Sequence, residues 1–100
     1  MRYSLREMLW SFRDRRTRRI WDGMRVPGLS VELQATALRK LRILNRVESI
    51  GDLRVPPGVR LEALGGDRKG QFSIRINDQW RICFSWSDGG PDDVDIVDYH

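Results

Sequence analysis

One hundred residues, 40% of them apolar, suit a single small domain with one core. No apolar run approaches the roughly 20 residues of a bilayer-spanning helix, and no long apolar stretch follows the charges of "MRYSLREMLW". A membrane span and a secretory leader are therefore not expected, and the cytoplasm is the default compartment. One cysteine, Cys83, excludes an internal disulfide, and the formal net charge is +4.

That charge is uneven: residues 1–60 carry 14 Lys/Arg against 6 Asp/Glu, and residues 61–100 carry 4 against 8. In chain order, "LWSF" (9–12) reads as a short strand. Asp14 is placed to cap a short helix, "RRTRRIWD", that stops at Gly23. After the turn "VPGLS", Ser30 is the N-cap of the next helix, and Glu32 suits its first turn. In "VELQATALRKLRILNR", Leu33, Ala37, Leu41 and Leu44 form an apolar stripe at helical spacing. Arg39, Arg42 and Arg46 share another face, either as solvated charges that suit the helix dipole or as a surface that neutralises phosphates. "RVPPG" then breaks the chain.

The second half reads as β. "RLEAL" (60–64) is a short strand, and "QFSIRIN" and "WRICFSW" alternate apolar with polar residues. A two-residue loop between them would set Ile74 against Arg81 and mix the faces. A three-residue loop, Asn77 to Gln79, pairs Ile76 with Trp80, Ile74 with Ile82 and Phe72 with Phe84, and is the register expected. It also sets Arg75 opposite Arg81, a repulsive pair unless a carboxylate or a bound anion intervenes. On that reasoning, removing Arg81 should leave stability equal or slightly higher. The turn "SDGGPDD" leads into a last strand, "DVDIVDYH", paired back on its predecessor. Helices followed by a meander predict an α+β fold with helices on one sheet face.

The other face would carry Arg75 and Arg81, with Asp98, Tyr99 and His100 at its C-terminal edge and Arg68 and Lys69 in the turn "GGDRKG". Cations hold a phosphate, and acid or base groups within reach move a proton. No Ser–His–Asp order, P-loop, dinucleotide fingerprint or zinc spacing competes with that reading. The run "RLEALGGDRKGQFSIRINDQWRICFSW", with the terminal "VDIVDYH", resembles the HigB toxins of bacterial toxin–antitoxin pairs, within the RelE/ParE superfamily. The likeness covers roughly residues 9–100. One toxin domain is thus expected over 1–100, with 1–8 as an N-terminal extension.

The resemblance implies a RelE-like microbial RNase fold, with two N-terminal helices on a small, mainly antiparallel sheet. It implies a ribosome-dependent mRNA endoribonuclease that needs neither metal nor cofactor, in which the ribose 2′-OH attacks the adjacent phosphate. The implied partners are the ribosome and its mRNA and a HigA-type helix-turn-helix antitoxin; operator DNA is reached only through that antitoxin. Carried over by position, Arg81 matches the family's phosphate-binding arginine, and Asp98, Tyr99 and His100 match its C-terminal triplet. Glu62 stands where better-studied relatives have a histidine, and carboxylate can serve as the base. Substrate contacts then fall to Arg68, Lys69 and Arg75, and ribosome contacts to Arg39, Arg42 and Arg46. Gly65 replaces a lysine of the family pattern, which removes a cation and leaves open a catalytically weak protein that binds the ribosome or the antitoxin. A gyrase-poisoning ParE-type toxin is a third reading, against which the terminal "DYH" and Arg81 argue.

Overall fold

The structure is a computed structural model that describes residues 11–87 and 90–99. Two helices, α1 (Arg15–Trp21) and α2 (Val31–Arg46), precede a four-stranded antiparallel sheet of β1 (Glu62–Ala63), β2 (Phe72–Arg75), β3 (Trp80–Ser87) and β4 (Gly90–Asp98) in that spatial order. The α+β class and the two-helix arrangement agree with the sequence reading.

Both helices start where side-chain chemistry dictates. The N–H of Thr17 donates to Asp14 Oδ1 at 2.9 Å, and that of Leu33 donates to Ser30 Oγ at 3.0 Å, so each cap satisfies a donor that has no partner within its helix. Gly23, with φ of 79°, ends the first helix in the left-handed conformation that glycine adopts without steric penalty. The stripe Leu33, Ala37, Leu41 and Leu44 is buried and shares one core with Ile74, Ile76, Ile82, Phe84, Val94 and Ile96. Each large aliphatic side chain removed from water there stabilises the fold by about 2 kcal/mol.

The hairpin takes the expected register: Phe72 opposes Phe84, Ile74 opposes Ile82 and Arg75 opposes Arg81. Its loop is closed by Asn77, whose Oδ1 accepts from the N–H groups of Gln79 and Trp80, each at 2.8 Å. β4 starts earlier than the turn composition of "SDGGPDD" suggests. Ser87 already pairs with Gly90 and Trp86 with Pro91. Proline is tolerated there because β4 is an edge strand. A bulge follows: one residue separates Cys83 from Ser85 where two separate Asp92 from Asp95, and Asp93 sits at φ of 52°.

Leu9 and Trp10 of the first expected strand lie outside the described residues. Phe12 makes a single parallel bridge with Val94. Beside it, Arg13 donates its N–H to the Val94 carbonyl at 2.8 Å, and the N–H of Ile96 donates to the buried Thr17 Oγ1 at 3.1 Å. These contacts cover the outer edge of β4, which would otherwise present unpaired backbone groups.

Candidate active site

Helices cover one face of the sheet. On the other, each strand supplies one polar residue toward a common centre: Glu62 from β1, Ser73 from β2, Arg81 from β3, and Tyr99 just after β4. Strand alternation produces this grouping. Glu62 pairs with Ser73, Arg75 with Arg81, and Arg81 with Val97, two residues before Tyr99.

Arg81 is the centre of the group and is only 8% exposed. Its Nε donates to Ser73 Oγ at 2.7 Å, and its Nη2 donates to the Arg60 carbonyl at 2.6 Å, with the Ser73 carbonyl at 3.5 Å. Nη2 also lies 3.7 Å from Glu62 Oε1, within ion-pair range but beyond a hydrogen bond. The guanidinium carbon stands 5.8 Å from the centre of the Tyr99 ring. Among the described residues Nη1 makes no hydrogen bond. Among the described residues, then, the protein engages Nε and Nη2 of the fork and leaves Nη1 able to take a ligand. A guanidinium held in this way is a preorganised donor for a phosphate oxygen.

The like-charge register of Arg75 and Arg81 is accommodated by separate carboxylates, not by a shared one. Arg75 pairs with Asp78 in the hairpin loop, and Arg81 faces Glu62. The expectation that removing Arg81 would leave stability equal or higher does not fit this arrangement. The side chain satisfies Ser73 and a main-chain carbonyl in a buried setting, so its loss would leave polar groups without partners.

The other nominated residues are spread around this centre. Asp98 opposes Trp80, which places it on the helix-covered side of the sheet edge, where Gln79 Nε2 donates to its Oδ2 at 3.1 Å. Asp98 and Tyr99 thus point to opposite faces. His100 lies outside the described residues. Arg68 makes a two-pronged contact with Asp95, both distances 3.1 Å, and donates to Gln71 Oε1 at 2.9 Å. Burial pushes the Asp95 carboxyl above its ordinary range, and Arg68 offsets part of that rise. The hydrogen bond from Asp95 holds the Arg68 guanidinium above its ordinary value. Lys69 is exposed at the end of the short 3-10 turn Gly66–Arg68. Arg39, Arg42 and Arg46 are exposed on α2; Arg42 and Arg46 line an open depression with Trp21 and Asn45.

Sequence reasoning missed Ser73, Asp95 and Arg60. The first two had a signal, since both fall on the Arg81 face by alternation in "FSIRI" and "VDIVD". Arg60 had none, because its contribution is a main-chain carbonyl. Among the described residues no three His, Cys, Asp or Glu side chains gather as a metal site, and no helix is long and apolar enough to cross a membrane.

Toxin HigB-1 of Vibrio cholerae serotype O1 is 43% identical over 68 residues, 68% of this chain and 72% of that protein. An uncharacterised protein of Haemophilus influenzae is 40% identical over 48 residues, 48% of each chain. A family profile described as RelE-like toxin of type II toxin–antitoxin system HigB matches residues 10–100. The chain belongs to this family of HigB-like, RelE-type toxins.

Proposed function

We propose that the protein is a ribosome-dependent endoribonuclease that cuts translated mRNA in the decoding site and so arrests translation. A HigB-like toxin has a cognate antitoxin, and we take that partner to be of the HigA helix-turn-helix type. The observation that carries the reading is Arg81, buried and fixed through Nε and Nη2, with Nη1 left over beside a carboxylate and an aromatic ring.

In the proposed reaction, Glu62 takes the proton of the ribose 2′-OH as its oxygen attacks the adjacent phosphorus. Arg81 stabilises the charge on the phosphorane oxygens through Nη1. The bond from phosphorus to the 5′ oxygen breaks, and that oxygen takes a proton from His100; Asp98, on the opposite face of the strand end, takes no direct part. The products are a 2′,3′-cyclic phosphate and a 5′-OH end. Tyr99, 45% exposed, offers a ring on which the target base stacks. Lys69 and Arg75 add positive potential to the substrate path, and Arg68 contributes chiefly through Asp95. Arg39, Arg42 and Arg46 are assigned to ribosomal RNA.

A second reading follows from Gly65. With the family lysine missing and Arg68 engaged by Asp95, the protein would bind the ribosome or its antitoxin and cleave slowly. Primer extension on mRNA after brief induction tests both readings. New 5′-OH ends within translated codons, absent with Glu62→Gln, are the expected result. Co-sedimentation with ribosomes without new ends would favour the second reading, and neither ends nor co-sedimentation would refute both.

A further inference from the structure

The segment leading into Glu62 is fastened by three successive carbonyls, each to a different element. Lys40 Nζ of α2 donates to the Gly58 carbonyl at 3.1 Å. The N–H of Arg75 in β2 donates to the Val59 carbonyl at 2.6 Å. Arg81 Nη2 of β3 donates to the Arg60 carbonyl at 2.6 Å. Val59 between them is fully buried. The backbone alternates hand to make this possible: Gly58 has φ of 80° and Arg60 has φ of 49°.

Glycine adopts such a φ freely, but arginine does so against a steric penalty. The Arg60 side chain gives no compensating contact, since it is exposed and makes no hydrogen bond or ion pair among the described residues. What the strained conformation delivers is the direction of one carbonyl. An extended Arg60 would turn that oxygen away from Arg81. Nη2 would then lack its shortest bond and could close the 3.7 Å gap to Glu62. Such a collapse would swing the fork away from a phosphate and occupy the carboxylate needed as base.

We propose that Arg60 is a positioning residue for Arg81, acting through its left-handed backbone, and that Lys40 holds the strap from the α2 side. Its catalytic consequence rests on the reading of Arg81 as the phosphate clamp. The Lys40 ammonium is pushed below its ordinary value by burial and then by Arg39 and Arg75. Lys40→Met, which keeps the stem and removes the buried charge, should therefore fold.

Three substitutions at one position separate conformation from side chain. Arg60→Gly and Arg60→Asn accept the left-handed backbone and should cleave mRNA on programmed ribosomes near the unsubstituted rate. Arg60→Val should slow single-turnover cleavage by up to roughly tenfold, because a β-branched residue adds to the left-handed penalty that arginine already bears. Saturation by ribosomes should be little changed. In an Arg81→Lys background, which lacks the fork, the penalty of Arg60→Val should shrink. Lys40→Met should lower the rate in the same direction without lowering the melting temperature. Equal losses in the Gly and Val variants would mean that the side chain matters and would overturn the proposal. So would an undiminished Val penalty beside Arg81→Lys, or normal rates in both Arg60→Val and Lys40→Met. NMR signals of the Arg81 guanidinium report the clamp without catalysis: slow rotation and proton exchange of the Nη2 group, the donor to the Arg60 carbonyl, in the parent and Arg60→Gly, and fast in Arg60→Val. If no protein cleaves and the NMR contrast holds, the functional reading fails and the positioning stands; an Nη2 group unaffected by Arg60→Val sinks the positioning itself.

Discussion

Replacing Gly65 with lysine tests the proposed chemistry at the position where the resemblance to HigB toxins implies a lysine. The backbone there does not require glycine: φ is −122° and ψ is −166°, an extended conformation open to any residue. A Cβ built at Gly65 meets nothing within 4 Å. The loop that would carry the new ammonium is well tied. The N–H of Arg68 donates to the Gly65 carbonyl at 3.1 Å, that of Leu64 to the Gln71 carbonyl at 2.9 Å, and that of Gln71 to the Arg68 carbonyl at 2.9 Å. The Arg68–Asp95 pair then fastens the loop to β4. A cation on such a support is partly preorganised, and one preorganised donor at an oxyanion is worth on the order of a hundredfold in rate. A flexible four-carbon stem forfeits part of this, so Gly65→Lys should raise single-turnover cleavage on programmed ribosomes by at least roughly tenfold. Loss of a glycine at a compatible position should also stabilise the fold by about 0.5 kcal/mol through the unfolded chain, which is roughly 2–4 °C in melting temperature for a domain of this size. Ribosome affinity should change little, because the chain already carries 18 Lys and Arg. An unchanged rate with the higher melting temperature would refute the reasoning and show that the cations already present, with Arg68 and the exposed Lys69 the nearest in sequence, fill the role.

Arg81→Ala should abolish cleavage and also lower stability by about 2 kcal/mol, since it strands a buried serine and a carbonyl; an unchanged denaturation midpoint would mean that these groups find water instead. Alanine at Arg39, Arg42 and Arg46 together should leave the melting temperature nearly unchanged and reduce the salt dependence of ribosome binding by a slope of about one per lost phosphate contact. An identical salt profile would assign that face to solubility. For Asp95 the sign follows from its raised carboxyl. The folded protein takes up this proton at a higher pH than the unfolded chain, so this group's contribution to stability increases as pH falls toward the ordinary aspartate range and declines as pH rises above it. Asp95→Asn should remove that component and cost little stability at neutral pH, yet loosen the Arg68 loop and slow cleavage. A large fall in melting temperature at pH 7 would refute this account.

What the sequence made legible was local. Asp14 and Ser30 announce helix starts because a cap needs one oxygen at one position. The hairpin register follows because any other loop length mixes apolar and charged faces. The grouping of Glu62, Arg81 and Tyr99 was recoverable from the resemblance, and strand alternation then separates Tyr99 from Asp98. The burial of Arg81 was not legible. On sequence grounds a core-averted arginine belongs in solvent, and the groups that enclose it, Ser73, Tyr99 and the Arg60 carbonyl of the strap at Gly58–Arg60, change its environment. A strap is invisible to pattern reading when its functional atoms are carbonyls and its decisive turn falls on an arginine.

This difference alters how the charges near the site should be weighed. Arg75, Arg81 and Arg68 look from the sequence like three available cations. In the fold, Arg75 belongs to Asp78 and Arg68 to Asp95, while Arg81 keeps one nitrogen uncommitted among the described residues. An arginine already paired with a carboxylate adds less potential at a phosphate than its formal charge implies, because the partner's field opposes it. The effective positive charge at the site is therefore smaller than the sequence count, and the absence of a lysine at Gly65 weighs more. That is the physical ground for expecting a gain, not a loss, when a cation is added there.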